Sequence, residues 1–138
     1  MKHTTPWMPL CAVVIMLGIA LSACAADPLS LEGTRWNVVE INGSPTLEDY
    51  PITMEFAADQ IAGNAGCNNY FAGYTLDGET LSFGPAGATR MFCEGAMEQE
   101  DLFLTSLETV KSFSLDGEQL ILRLGDGGSI VLEPVEKL

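Results

Sequence analysis

Histidine is almost missing from this chain: His3 is the only one in 138 residues. Basic residues are scarce as well, six Lys and Arg against nineteen Asp and Glu, for a net charge of −13. No apolar run reaches the roughly 20 residues that a membrane-spanning helix needs. The longest is Leu10 to Leu21, twelve residues that would rise about 18 Å as a helix. Each shortage closes off a class of function. Without histidine beyond position 3, Ser-His-Asp chemistry, Cys-His chemistry and His-ligated zinc are excluded. Phosphate backbones are gripped by Lys and Arg, so nucleic-acid binding is excluded too. The acidic field opposes adsorption to anionic lipid. The length suits one domain rather than two flanking a cleft.

The apolar run Leu10–Leu21 follows Lys2 and reads as the core of an export signal. It ends in Leu21-Ser22-Ala23-Cys24, which resembles a bacterial lipobox. That resemblance implies removal of residues 1–23 as a lipoprotein signal peptide and acylation of Cys24, with residues 24–30 as a lipidated tether. More than one acyl chain suffices for stable anchoring. The competing reading is plain A-x-A cleavage beside an incidental cysteine. Ala25 stands where an Asp would signal inner-membrane retention, so the expected location is the cell envelope, on the periplasmic face of the outer membrane in a Gram-negative host. All nineteen acids lie from Asp27 onward, and against them the mature chain keeps Arg35, Arg90, Lys111, Arg123 and Lys137, a net of −14.

Of four cysteines, Cys11 leaves with the signal and Cys24 carries lipid. Cys67 and Cys93 remain in an oxidising compartment, where a disulfide is the economical reading. A free thiol or a metal pair are the alternatives; a nucleophilic thiolate would need a base, and no histidine supplies one.

What is present is mostly strand signal. Thr34–Ile41 is β-branched and aromatic, and Ile52, Met54 and Phe56 alternate with Thr53 and Glu55. Further short runs fall at 60–64, 70–76, 80–83, 88–92, 112–115, 119–124 and 129–133. Asn42-Gly43, Asp77-Gly78, Asp116-Gly117 and Asp126-Gly127 supply tight-turn chemistry between them. One helix is expected over 96–110, with Phe103, Leu107 and Val110 in the apolar stripe and Leu104 widening it. Glu98, Glu100 and Asp101 read as its solvated, dipole-matched start, and Lys111 as its favourable end. Tyr74–Leu81 echoes Phe113–Leu120 around a shared Leu-Asp-Gly-Glu; two copies do not make a solenoid. The expectation is a mainly β (α+β) fold: a small antiparallel cracked β-barrel or meander of about eight strands with one α-helix.

Leu31-Glu32-Gly33-Thr34-Arg35-Trp36, Ile52–Phe56, Gly63-Asn64-Ala65-Gly66-Cys67-Asn68-Asn69-Tyr70, Gly73-Tyr74 and Ala88-Thr89-Arg90-Met91-Phe92-Cys93 together resemble META domains, the family of the bacterial heat-shock protein HslJ. The resemblance places that domain at 31–134. It implies a small cracked barrel and a stress-associated or envelope role, without an assigned reaction.

Within these motifs Gly63 and Gly66 suggest a tight bend, Asn68 and Asn69 tolerate left-handed backbone, and Trp36 is a core anchor. Asn68, Asn69, Tyr70 and Arg90 form the candidate binding surface, with Arg90 as a carboxylate or carbonyl clamp; the alternative is that they only shape the turn. No catalytic residue, metal site or cofactor is assigned. Gly125–Ser129 lacks the lysine and following helix of a phosphate loop, and Asp126 matches no EF-hand. The reading is a monomeric, non-enzymatic envelope lipoprotein acting in stress tolerance, with the membrane as partner through Cys24 and an envelope protein as partner through its surface. A barrel holding an apolar ligand among Tyr70, Phe71, Tyr74, Phe83, Phe92 and Phe113, and an inhibitor of an attacking hydrolase, are the rivals.

Overall fold

The computed structural model describes residues 30–135. The expected signal peptide, Cys24 and the expected tether up to residue 29 lie outside the described residues. Ten strands and one helix follow in order: β1 Arg35–Ile41, β2 Ser44–Pro45, β3 Ile52–Phe56, β4 Gln60–Asn64, β5 Asn69–Asp77, β6 Thr80–Phe83, β7 Gly87–Ala88, α1 Met97–Leu107, β8 Val110–Asp116, β9 Gln119–Leu124 and β10 Ser129–Pro134. Eight of them pair in the order β1-β3-β4-β5-β6-β8-β9-β10, and β10 returns to β1 antiparallel, closing the barrel. The two-residue strands β2 and β7 hang from β1 and β5.

Alternation decides which side chains fill the barrel. Ile52, Met54 and Phe56 point in from β3, Leu81 and Phe83 from β6, Leu120, Leu122 and Leu124 from β9. In β1 the alternation breaks, because Trp36, Val38 and Ile41 are all buried. The register with β10 shifts between Val38 and Glu40, and this bulge turns Ile41 back inward. An eight-stranded barrel is just wide enough for side chains to fill it. Phe56, Tyr74 and Phe83 pack against one another at one end. At the other end α1 inserts Phe103 and Leu107, with Phe103 edge-on to Tyr70 at 5.2 Å between ring centroids.

The turns follow the dipeptides. Asn42 and Gly43 both take positive φ, 51° and 80°, the type I′ requirement between paired Ile41 and Ser44. The echoed segments form the β5–β6 and β8–β9 hairpins, whose glycines Gly78 and Gly117 both have φ of 60°. These hairpins lie side by side, but β6 and β8 share a single register pair, Thr80 with Ser112. That is the thin seam of the barrel, and the segment carrying β7 and α1 connects its two sides.

Three sequence expectations change. Residues 89–92 are not a strand: β7 stops at Ala88, and Thr89 to Phe92 are exposed loop. The helix ends at Leu107, and Val110 and Lys111 belong to β8, so no base occupies its last turn. β-branched Thr109 and Val110 favour extension, and the Thr109 N–H and hydroxyl both close on the Ser106 carbonyl. Glu100 is not solvated but buried.

Candidate functional site

The family-like motifs converge where β4 turns into β5. At Gly63 a Cβ would collide with the Thr53 carbonyl oxygen, so only glycine allows this close approach of β3 and β4. Gly66, at φ 110°, makes the bend itself. Asn64 pins the bend: its Oδ1 accepts the Gly66 N–H at 2.8 Å and its Nδ2 donates to Asn69 Oδ1 at 3.2 Å. The chain then turns Asn68 into the interior, where it is 1% exposed.

Every polar atom of the Asn68 side chain is engaged. Nδ2 donates to Glu100 Oε1 at 2.6 Å and to the Met91 carbonyl at 3.0 Å. Oδ1 accepts the Met91 N–H at 2.6 Å and the Thr89 hydroxyl at 2.9 Å. Glu100, 5% exposed, accepts the backbone N–H groups of Cys67 at 3.2 Å and Asn68 at 2.7 Å on its Oε2. A buried carboxylate held by three donors is stable where an unpaired one is not. The Cys67–Cys93 disulfide joins the same two segments, with Cα atoms 5.8 Å apart. Loop 89–95 is thus fixed by the Asn68 side chain and a covalent bond, and the Glu100 carboxylate holds Asn68 in place.

The four residues of the candidate surface separate accordingly. Asn68 and Tyr70 are buried; Asn69 and Arg90 are exposed. Tyr70 donates its hydroxyl to the Thr53 carbonyl at 2.9 Å, and burial pushes its phenol far above the ordinary value. Tyr74 is also raised, first by burial and then by the charges of Glu32 and Asp59. Neither Asn68 nor Asn69 takes left-handed backbone; among the described residues Asn42 alone of the non-glycines does. The described ion pair is Arg35 with Glu55, at 3.2 Å, so Arg90 clamps no carboxylate among the described residues. Trp36 is buried and donates its indole N–H to Thr34 at 2.7 Å.

Beside Arg90 and Glu94 the braced loop offers two large apolar side chains to solvent. Met91 is 58% exposed and Phe92 80%. Sequence reading missed this pair, having placed it on a strand. It also missed Glu100, although Glu100, Phe103 and Leu107 fall on one helical face at spacings of three and four, a signal present in the sequence. Of the aromatics weighed as a cavity lining, Tyr70, Phe83 and Phe113 are core, Tyr74 packs against the core, and Phe71 and Phe92 face solvent. Gly125–Ser129 is a hairpin loop in which Asp126 Oδ1 accepts the Gly128 N–H at 2.9 Å. Among the described residues no three His, Cys, Asp or Glu are grouped to hold a metal ion, and no helix is long and apolar enough to cross a membrane.

The fold has solved relatives. A protein from Burkholderia xenovorans solved by NMR is similar at 25% identity and TM-score 0.66, covering 83% of this chain and 94% of its own. A second NMR structure shares 20% identity over 78% of this chain and 94% of its own, with TM-score 0.62. A DUF4847 family protein from Bacteroides vulgatus, solved by crystallography, shares 15% identity over 78% and 96%, with TM-score 0.57. The latter two likenesses speak to the fold alone. No curated protein matches the chain. The META domain profile matches residues 29–137, a span that takes in the bend, the disulfide, the braced loop and the whole barrel, and the chain belongs to the META domain family.

Proposed function

We propose that this META domain protein is a lipid-anchored, non-enzymatic envelope protein that works through protein contacts made by loop 89–95. The observation that carries the reading is Phe92: a large aromatic 80% exposed on a loop that the disulfide and the Asn68–Glu100 network hold rigid. Exposed aromatics on rigid scaffolds are what protein partners bury at their hot spots, and little entropy is lost in ordering such a loop. Glu100, the buried acid, has both carboxylate oxygens engaged, which favours a bracing role over acid–base work. Stress tolerance is the family-level context for such contacts.

The orientation supports the reading. The Gly33 N–H bonds to the Phe56 carbonyl, so the chain enters at the barrel end away from α1 and Phe92. A tether of residues 24–30 reaches at most about 24 Å. Acylated Cys24 would hold the entry end towards lipid and turn Phe92 towards the periplasm.

Two measurements test this. Cys24→Ala is expected to release the protein from the membrane fraction; continued membrane association refutes the anchor. A photo-crosslinking amino acid at Phe92 is expected to give discrete protein adducts in cells, whereas the same probe at exposed Thr75 gives none. Absence of adducts at position 92, or equal adducts at both, refutes the contact role.

A further inference from the structure

A second surface at the α1 end carries an inference that deepens the reading just given and rests on its claim of protein contacts. Between the β1–β2 corner and α1 runs an open groove of about 400 Å³, with Ile41, Pro45, Leu47 and Leu102 among its lining residues. Leu47 and Leu102 are 44% and 43% exposed. The volume lies in the range of about 300–1,000 Å³ typical of binding clefts. Gln99 fixes the two walls in place: its Oε1 accepts the Leu47 N–H at 2.6 Å and its Nε2 donates to the Tyr50 carbonyl at 2.9 Å. The groove is therefore preformed, and an occupant need not order it.

Charge identifies the occupant. The segments that build the groove, 41–50 and 94–102, expose Glu48, Asp49, Glu94, Glu98 and Asp101 and contain no Lys, Arg or His. Of these acids Glu98 lines the groove itself and the other four form a rim on the flanking segments; an apolar floor in such acidic surroundings complements a segment that carries both aliphatic and cationic side chains. The same rim opposes a second copy of this face, which would bring like charges together.

We propose that the groove between β2 and α1 binds an extended peptide segment of an envelope protein bearing leucine-sized and Lys or Arg side chains. Fluorescence polarisation on the soluble Cys24→Ala protein tests it. The probe is a nine-residue labelled peptide with three lysines and two leucines, compared with the same peptide carrying glutamates for the lysines. The lysine peptide is expected to bind at least about tenfold more tightly, and to weaken as salt is raised. Leu102→Ser and Glu98→Lys, both at exposed positions, should each weaken it about fivefold or more with the thermal midpoint unchanged. Phe92→Ser should bind the peptide as the parent does. Equal affinity for both peptides, no binding, or binding indifferent to Leu102 and Glu98 overturns the proposal. Because crosslinking at Phe92 reads the contact role separately, adducts there without peptide binding would sink the groove and leave that role standing.

Discussion

From Val110 to Pro134 the chain is three strands held by Phe113, Leu120, Leu122, Leu124, Ile130 and Leu132, whereas from Asn64 to Leu107 it winds around Asn68, Glu100 and the Cys67–Cys93 bond. The first region uses non-directional burial, and such contacts accept volume-conserving exchange at less than about 1.5 kcal/mol. The second uses hydrogen bonds whose donors and acceptors must match atom for atom. Asn at position 68 is the residue that gives two donors and two acceptors at that depth; Asp, Leu or Ser would leave at least one partner unmet. The contrast teaches why the family motifs cluster where they do. Asn68 and Thr89, polar residues of those motifs, hold up a loop, and function is to be sought in what that loop presents.

The largest expected effect breaks the polar region. Asn68→Ala removes a donor from the Glu100 carboxylate and both partners of the Met91 backbone, and should destabilise by about 3–5 kcal/mol. A urea titration would check it, and a loss below about 1 kcal/mol would mean the network is not what holds the loop. Next is Cys67→Ala with Cys93→Ala. Opening a loop of 26 residues removes about 3–4 kcal/mol in the chain-entropy account. Hydrogen exchange should show loop 89–95 opening first, with the β8–β10 amides exchanging only through global unfolding. Equal loss of protection everywhere would erase the distinction between the two regions.

Strands with a plain two-residue alternation were the more legible elements of the sequence. Thr80–Phe83 and Gln119–Leu124 fall where alternation and turn dipeptides place them, because a two-residue period bounded by Asp-Gly is local information. The bulge at Val38–Glu40 was not legible, since it depends on where β10 lies. Nor was the loop at 89–92. Thr-Arg-Met-Phe has strand-like composition, but Asn68 takes both Met91 backbone groups with its own side chain, and this denies them to a neighbouring strand. Glu100 was misread for a related reason. Acidic residues in a first helical turn normally face water, and only the arrival of the Cys67 and Asn68 N–H groups makes burial favourable. In each case a partner distant in sequence outweighed the local preference.

A smaller effect sits inside the barrel at Tyr70, which packs on Phe103. Tyr70→Phe removes the bond to the Thr53 carbonyl and should cost about 1 kcal/mol at neutral pH. Its pH dependence carries more information. Burial holds the folded phenol neutral far above its ordinary value, whereas the unfolded phenol ionises near pH 10. The stability from keeping it neutral is full below about pH 10 and is lost as pH rises beyond that, by about 1.4 kcal/mol per pH unit. Tyr70→Phe lacks this term, so urea titrations of variant and parent should converge between about pH 10 and 11 and then cross. Parallel curves would place the Tyr70 hydroxyl in contact with water.

The smallest expected effect on folding sharpens the comparison most, because it separates the residues that build the braced loop from the one it displays. Phe92 touches little of its own fold at 80% exposure, so Phe92→Ser should change stability by less than about 0.5 kcal/mol. If the loop is a contact surface, the same substitution should strip adducts from a photo-crosslinker placed at the adjoining Met91. If Phe92→Ser unfolds the barrel instead, Phe92 belongs with Asn68 and Glu100 among the braces, and the exposed face of the loop has no claim to a partner. Unchanged stability together with lost adducts is the one outcome that a purely structural loop does not produce.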